Sequence, residues 1–310
     1  MVSPLVFRSS FSFLLLCALF PLLGFPAHAA DKKTSASPKT KPTSSATFTK
    51  ATPAMTPSAD ASSWVVLSDH IIPYQSASSK AEHVGKPLIY PAEIQGAVVK
   101  STLSPSGKWS GSSWLEGVVK GQRVYLPLAY VIPQTTVPSK ENLPLGKEEV
   151  DRERALPHEY MATDLTILPL KWQSDEKREA KLRAEAADAA VKLFEAAEKE
   201  KIVLRIVSGY RSFETQRKLY LAKIDKTKDL NQNVVAKPGH SEHQLGTAMD
   251  ISGLDSKTEL QQSFANTPEG RWVKDNCQKF GFRLSYTPEN EKESGYIAEP
   301  WHLRYMGSCR

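Results

Sequence analysis

Ser241-Glu-His-Gln-Leu-Gly-Thr-Ala-Met-Asp250, taken with Glu299-Pro-Trp-His302 further along, decides what the C-terminal half of this chain must be. Six residues separate His243 from Asp250, which suits one side chain in a loop and the other on the strand that follows. Gly246 to Ile251 is short and apolar enough to be that strand, and Trp301 to Tyr305 reads as a last strand carrying His302. Two imidazoles and one carboxylate give zinc three protein ligands and leave its fourth tetrahedral position open. A structural site would need a fourth ligand, most often Cys, and none lies near these runs. Zinc lowers the pKa of bound water from ~15.7 to ~7. Glu299, three residues before His302, is placed to accept the water's proton and later to protonate a leaving amine. Singly these signals are weak, since a lone His is more often a core or surface residue and a Glu before Pro is often a solvated turn. Their joint wording carries the argument.

Upstream, Leu182, Ala186, Ala189, Ala190, Leu193, Phe194 and Ala197 recur at helical spacing. They predict an amphipathic helix over Ser174 to Glu200, with Ser174 as N-cap and Asp175 and Glu176 in its first turn. Ile202 to Val207 follows as a strand, and Ser208-Gly-Tyr-Arg-Ser212 makes a turn whose Ser212 caps a helix holding Gln216. Lys226 to His240 is a polar loop. Thr267-Pro268 opens another helix, with Pro at its first position, and Gly281 to Tyr286 reads as a strand. Strands and helices mix without strict alternation, so an antiparallel α+β domain is favoured over a doubly wound sheet.

Residues 1–29 read as a signal peptide. An apolar stretch from Phe11 to Phe25 follows the single charge of Arg8 and leads to Ala27-His28-Ala29, a small-x-small cleavage pattern. Pro21 and Gly24 interrupt the stretch, and it falls short of the roughly 20 apolar residues that span a bilayer, so no stable membrane span is expected after cleavage. Export to the periplasm, cell wall or medium follows. Residues 30–62 are a Ser/Thr/Pro/Lys linker with almost no large apolar residue. Residues 63–133 carry short apolar runs punctuated by Gly, Pro and Ser, the pattern of a small all-β module. Val118 to Tyr125 reads there as a hairpin turning at Gly121, and Val124 to Val131 is the last of the apolar runs. Residues 134–153 form a second linker, and residues 154–310 form the domain with the chemistry.

Loss of the leader leaves Cys277 and Cys309, an even number in a compartment where disulfides persist. A bridge between them is the expectation, and two unpaired thiols are the alternative. The formal charge of +6 suits solvated lysines, or an anionic partner such as a cell-wall polymer or membrane surface rather than nucleic acid.

In order along the chain, Ser208-Gly-Tyr-Arg-Ser212, Ser-x-His-x-x-Gly-x-Ala-x-Asp at 241–250 and Glu-Pro-Trp-His-x-Arg-Tyr at 299–305 closely resemble the zinc carboxypeptidases of the VanY type. These are the D-alanyl-D-alanine and L,D-carboxypeptidases of the LAS peptidases, and the likeness covers about residues 142–307. It implies a small antiparallel sheet flanked by helices, one Zn2+ held by His243, Asp250 and His302, and Glu299 as catalytic base. It further implies that Arg211 stabilises the oxyanion, and that Gln216 and Ser241 contact the substrate, including its terminal carboxylate. Read from the residues alone, Arg211 could be a buried Arg paired with a carboxylate, Gln216 a helix-to-loop hydrogen bond and Ser241 a cap. His240 reads as outside the ligand set, and Tyr210, Trp301 and Tyr305 as packing.

The implied activity is removal of the C-terminal D-alanine from peptidoglycan stem peptides. The rivals are a wall endopeptidase of the same superfamily and a non-catalytic cell-wall-binding protein. Trp114 to Val131 resembles the closing strands of bacterial SH3-like domains, which makes the β module an SH3-like barrel and a candidate wall binder. Aromatics that merely fill a small β core are an equal reading of the same residues.

Overall fold

Apolar residues in the N-terminal part alternate along short extended runs, and these runs pair. A computed structural model describes residues 62–100, 113–134, 150–152, 154–157, 159–175 and 179–307, all within a unit spanning residues 52–310. The leader, nearly all of the first linker and most of the second lie outside the described residues, as does Cys309. Among the described residues no helix is long and apolar enough to cross a membrane.

Strands β1 (Ser62–Val66), β2 (Glu93–Lys100), β3 (Ser113–Val119), β4 (Gln122–Pro127) and β5 (Val131–Pro133) form one antiparallel sheet in the order β4-β3-β2-β1-β5. The β3–β4 hairpin turns at Lys120 and Gly121, with φ of 51° and 78°, a pair of positive values that matches the twist of the flanking strands. Val124 to Val131 is not a single strand. Leu128–Tyr130 forms a 3-10 turn that breaks it into β4 and β5 just after Pro127, which has no N–H for the ladder. Val66, Ile94, Leu115, Val124, Leu126 and Val131 fill the sheet's core.

The C-terminal part holds β6 (Leu165–Ile167), β7 (Lys181–Arg183), α1 (Ala184–Lys199), β8 (Arg205–Ser208), α2 (Phe213–Thr227), β9 (Ala248–Ser252), α3 (Pro268–Asn276), β10 (Phe282–Leu284), a single turn α4 (Glu291–Ser294) and β11 (His302–Tyr305). Strands β10-β11-β9-β8 make a four-stranded antiparallel sheet, and β6 pairs with β7 apart from it. Leu182, Leu193, Phe194, Ile206, Met249, Ile251, Phe264, Val273 and Leu303 bury the joint between sheet and helices. At about 1.5–3 kcal/mol for each large side chain, this burial is what holds the sheet in place. The capping signals are realised: the Ser212 hydroxyl accepts from the Thr215 amide, and Thr267 accepts from Gly270 ahead of Pro268.

The long helix starts ten residues later than its apolar periodicity and Ser174 suggest, at Ala184. Lys181–Arg183 is taken by β7, which pairs with β6, and the Ser174 amide donates to the Ile206 carbonyl instead of opening a helix. The disulfide expectation rests on Cys309, which lies outside the described residues. Cys277 is packed in the core, and burial pushes its thiol pKa up to about 11.

Candidate metal centre

Strand register brings the candidate residues together. Asp250 on β9 lies directly opposite His302 on β11, so their side chains leave the sheet on the same face. On the other side of β9 an irregularity between Ile206 and Ser208 pairs Ser208 with Asp250. Such a bulge re-aims the strand end, and the chain continues into Gly209, whose carbonyl accepts from His243 Nδ1 at 2.8 Å. Gly209 must lack a side chain, because a Cβ there would sit 2.5 Å from the Lys181 carbonyl oxygen. His243 itself stands in a 3-10 turn over Glu242–Leu245.

One ligand atom from each of His243, Asp250 and His302 lies within 4.8 Å of the others, and all three residues are buried. With Nδ1 committed to Gly209, His243 presents the lone pair of Nε2 to Asp250 Oδ2 at 3.2 Å, and this nitrogen has no hydrogen-bond partner. Two electron pairs facing each other among buried residues are the donor arrangement a cation would bridge, and a mixed nitrogen and oxygen donor set suits zinc. Burial holds the His243 imidazole down at about 4, helped by Arg211, so it is neutral and ready to ligate. Desolvation would raise the Asp250 carboxyl, but His243, His302 and Arg211 hold it well below its ordinary value.

Glu299 remains outside the three-ligand group, with Oε2 3.9 Å from His302 Nδ1. Burial raises its carboxyl to about 7, with His302 opposing and Asp250 assisting. Arg211 Nη2 lies 3.5 Å from Asp250 Oδ2, while its Nε has no partner. Gln216 Nε2 donates to the Ala236 carbonyl at 2.8 Å and leaves Oε1 without a partner. The helix-to-loop bond is therefore real and uses only half of the amide. Ser241 precedes the 3-10 turn but caps nothing with its hydroxyl. All seven candidates line a single cleft of about 860 Å3 together with Tyr286, Tyr296 and Trp301. Buried His240 turns away from the group, its Nδ1 2.7 Å from the Asp151 carbonyl, and Tyr305 donates to Glu185.

Sequence reasoning missed Glu242. This buried carboxylate meets His302 Nε2 at 2.8 Å and accepts from Ser285 Oγ at 2.6 Å and Arg304 Nη1 at 2.9 Å. Burial alone would raise it, but His302, Arg304 and Ser285 together hold it down to about 2. Desolvation works against a charge on His302, yet Asp250 and Glu242 outweigh it and raise the imidazole to about 10. Flanked by these two carboxylates, His302 carries a proton. A carboxylate behind a ligating His fixes the ring and raises its donor strength. The only signal for Glu242 in sequence is an acid wedged between Ser241 and His243.

A buried His/Asp/His group with an adjacent Glu outside it, in a cleft beside the two inner strands of an antiparallel sheet, defines a candidate metallohydrolase domain. Residues 179–308 match the family profile of VanY, D-alanyl-D-alanine carboxypeptidase. Bacillus subtilis (strain 168) YodJ is 42% identical over 160 residues, covering 51% of this chain and 59% of YodJ. A D-alanyl-D-alanine carboxypeptidase of Enterococcus faecium is 34% identical over 102 residues, 33% of this chain and 29% of that protein. The match thus spans about a third to three fifths of these curated relatives. The solved LdcB LD-carboxypeptidase shares 37% identity across 54% of this chain and 86% of its own, with a TM-score of 0.48.

Proposed function

We propose that this protein is an exported, zinc-dependent carboxypeptidase that removes the C-terminal D-alanine from peptidoglycan stem peptides. The observation that carries the reading is the group of His243, Asp250 and His302 ligand atoms within 4.8 Å of one another, with unligated Glu299 beside it. A zinc ion held there supplies water acidic enough to ionise near neutral pH and a Lewis acid for the scissile carbonyl. Glu299, drawn toward its carboxylate form by a neighbouring cation, takes the proton of the attacking water and returns it to the leaving amine of D-alanine. Arg211, with its Nε unspent, meets the negative charge that develops on the carbonyl oxygen. Ser241 and Gln216 line the cleft where the terminal carboxylate docks, and Tyr286, Tyr296 and Trp301 line it with them. The leader in residues 1–29 supports export.

The test is mass analysis of purified muropeptides after incubation with the protein. Release of free alanine is expected, from pentapeptide if the specificity is D,D and from tetrapeptide if it is L,D. Cleavage into larger fragments alone would instead mark an endopeptidase. Glu299→Gln is expected to retain zinc and lower kcat by about 10²–10⁴-fold. Unaltered turnover in that variant would remove Glu299 from the chemistry.

A further inference from the structure

Helix α2 is held between two surfaces. Gln216 and Lys223 line the cleft. Phe213, Tyr220 and Ile224, on the other side, join Leu230 in one apolar cluster with Val65, Leu67, Ala129 and Ile132 of the β module. The five-stranded module thus shares a core with the domain that carries the metal centre.

Two polar contacts sharpen this joint. Arg217, the residue after Gln216, is 4% exposed. Its Nη1 donates to the Leu67 carbonyl at 2.6 Å and to Asp69 at 2.9 Å, both in the β module. Its remaining donors grip Glu214 at 2.8 Å, and the guanidinium lies 4.2 Å from the Tyr90 ring centre. Lys237, the residue after Ala236, donates through Nζ to the module's Leu128 carbonyl at 2.5 Å and to Val131 at 3.4 Å. Ala236 is the residue whose carbonyl holds Gln216 Nε2. Both ends of the hydrogen bond that orients the Gln216 amide are therefore pinned, one residue away, to the β module.

We infer that the β module is a fixed brace for the substrate wall, in which Arg217 and Lys237 are positioning residues that hold Gln216 and its unspent Oε1 in register with the cleft. The inference rests on the reading of Gln216 as a substrate contact. A module that only tethered the protein to the wall would have no need to share a core with α2 or to place a buried guanidinium beside a cleft residue.

The test uses the full chain. Arg217→Met and Lys237→Met are each expected to raise KM for a D-alanyl peptide about five- to tenfold, the effect of one displaced hydrogen bond, with kcat and zinc content at the parent's level. Arg217→Lys, which keeps a donor for Leu67 or Asp69, recovers part of the loss. In a Gln216→Ala background Arg217→Met adds nothing to KM, because the contact it positions is already gone. The Gln216 side-chain amide proton–nitrogen resonance, recognised by its absence in Gln216→Ala, shifts in both Met variants. A fall in melting temperature with KM and this resonance unmoved overturns the proposal in favour of plain stabilisation. A shifted resonance in a protein that hydrolyses no muropeptide upholds the brace and refutes the proposed function.

Discussion

Replacing Glu242 by Gln tests whether the carboxylate behind His302 serves the metal or only neutralises Arg304. Oε1 of Glu242 accepts from Arg304, while Oε2 faces both Ser285 Oγ and His302 Nε2. An amide in the same volume keeps Arg304 through its oxygen, and its NH2 can turn to the Ser285 hydroxyl, which is able to accept. That NH2 then opposes His302 Nε2, which is itself a donor once Nδ1 is turned to a cation. Flipping the amide moves the clash to Arg304. The variant therefore loses one charge-assisted hydrogen bond, worth about 1.5–3 kcal/mol, and gains a donor-donor contact. At about 1.4 kcal/mol per decade this weakens zinc by about 10- to 100-fold, the usual effect of removing a partner behind a ligating His. Competition with a fluorescent zinc chelator at one fixed pH measures the shift, and near-ultraviolet circular dichroism of the metal-free protein confirms that the fold persists. Zinc affinity within about threefold of the parent would show that Glu242 serves Arg304 alone, and the argument from the 2.8 Å contact to the metal would fail.

Zinc must displace the proton that Asp250 and Glu242 hold on His302, whose pKa is raised to about 10. Affinity should therefore fall about tenfold for each unit of pH lowered below that value, and calorimetry in buffers of different ionisation enthalpy should count close to one proton released. Gly209→Ala would drive a Cβ to 2.5 Å from the Lys181 carbonyl. It is expected to cost about 1–3 kcal/mol by denaturant unfolding and to weaken zinc, because the Gly209 carbonyl aligns His243. Since the Glu299 carboxyl is raised to about 7 in the metal-free site and a bound cation draws it lower, kcat/KM should show an acid limb below about pH 7 that disappears from the residual activity of Glu299→Gln.

The site was legible in sequence because its parts sit on short runs whose local structure is self-determined. Thr267-Pro268 and Ser212 start helices by capping alone, and the apolar runs at 248–252 and 302–305 are strands by composition. What could not be read depends on distant partners. Leu182 fits a helix stripe and a strand equally well, and only the ladder from β6, with the backbone beside Gly209, decides for the strand. Glu242 looks like any solvated acid until Arg304, 62 residues later, comes to lie against it. The break after Pro127 follows the same logic, because a run of apolar residues does not state which of its amides a neighbouring strand will need. The shared core between α2 and the β module was invisible for a simpler reason: both partners carry ordinary amphipathic patterns, and neither names the other.

Asp250 and His302, 52 positions apart in the chain, meet only as register partners, and His243 is aligned by a carbonyl 34 residues before it. No fragment of the polypeptide can therefore grip an ion by itself, and each ligand arrives only after slow, long-range strand pairing is complete. If the site takes the proposed zinc, capture would come at the end of folding and could not template it. A nascent or unfolded chain would have little hold on free zinc, and loading would be a separate step that reports on whether the sheet has zipped.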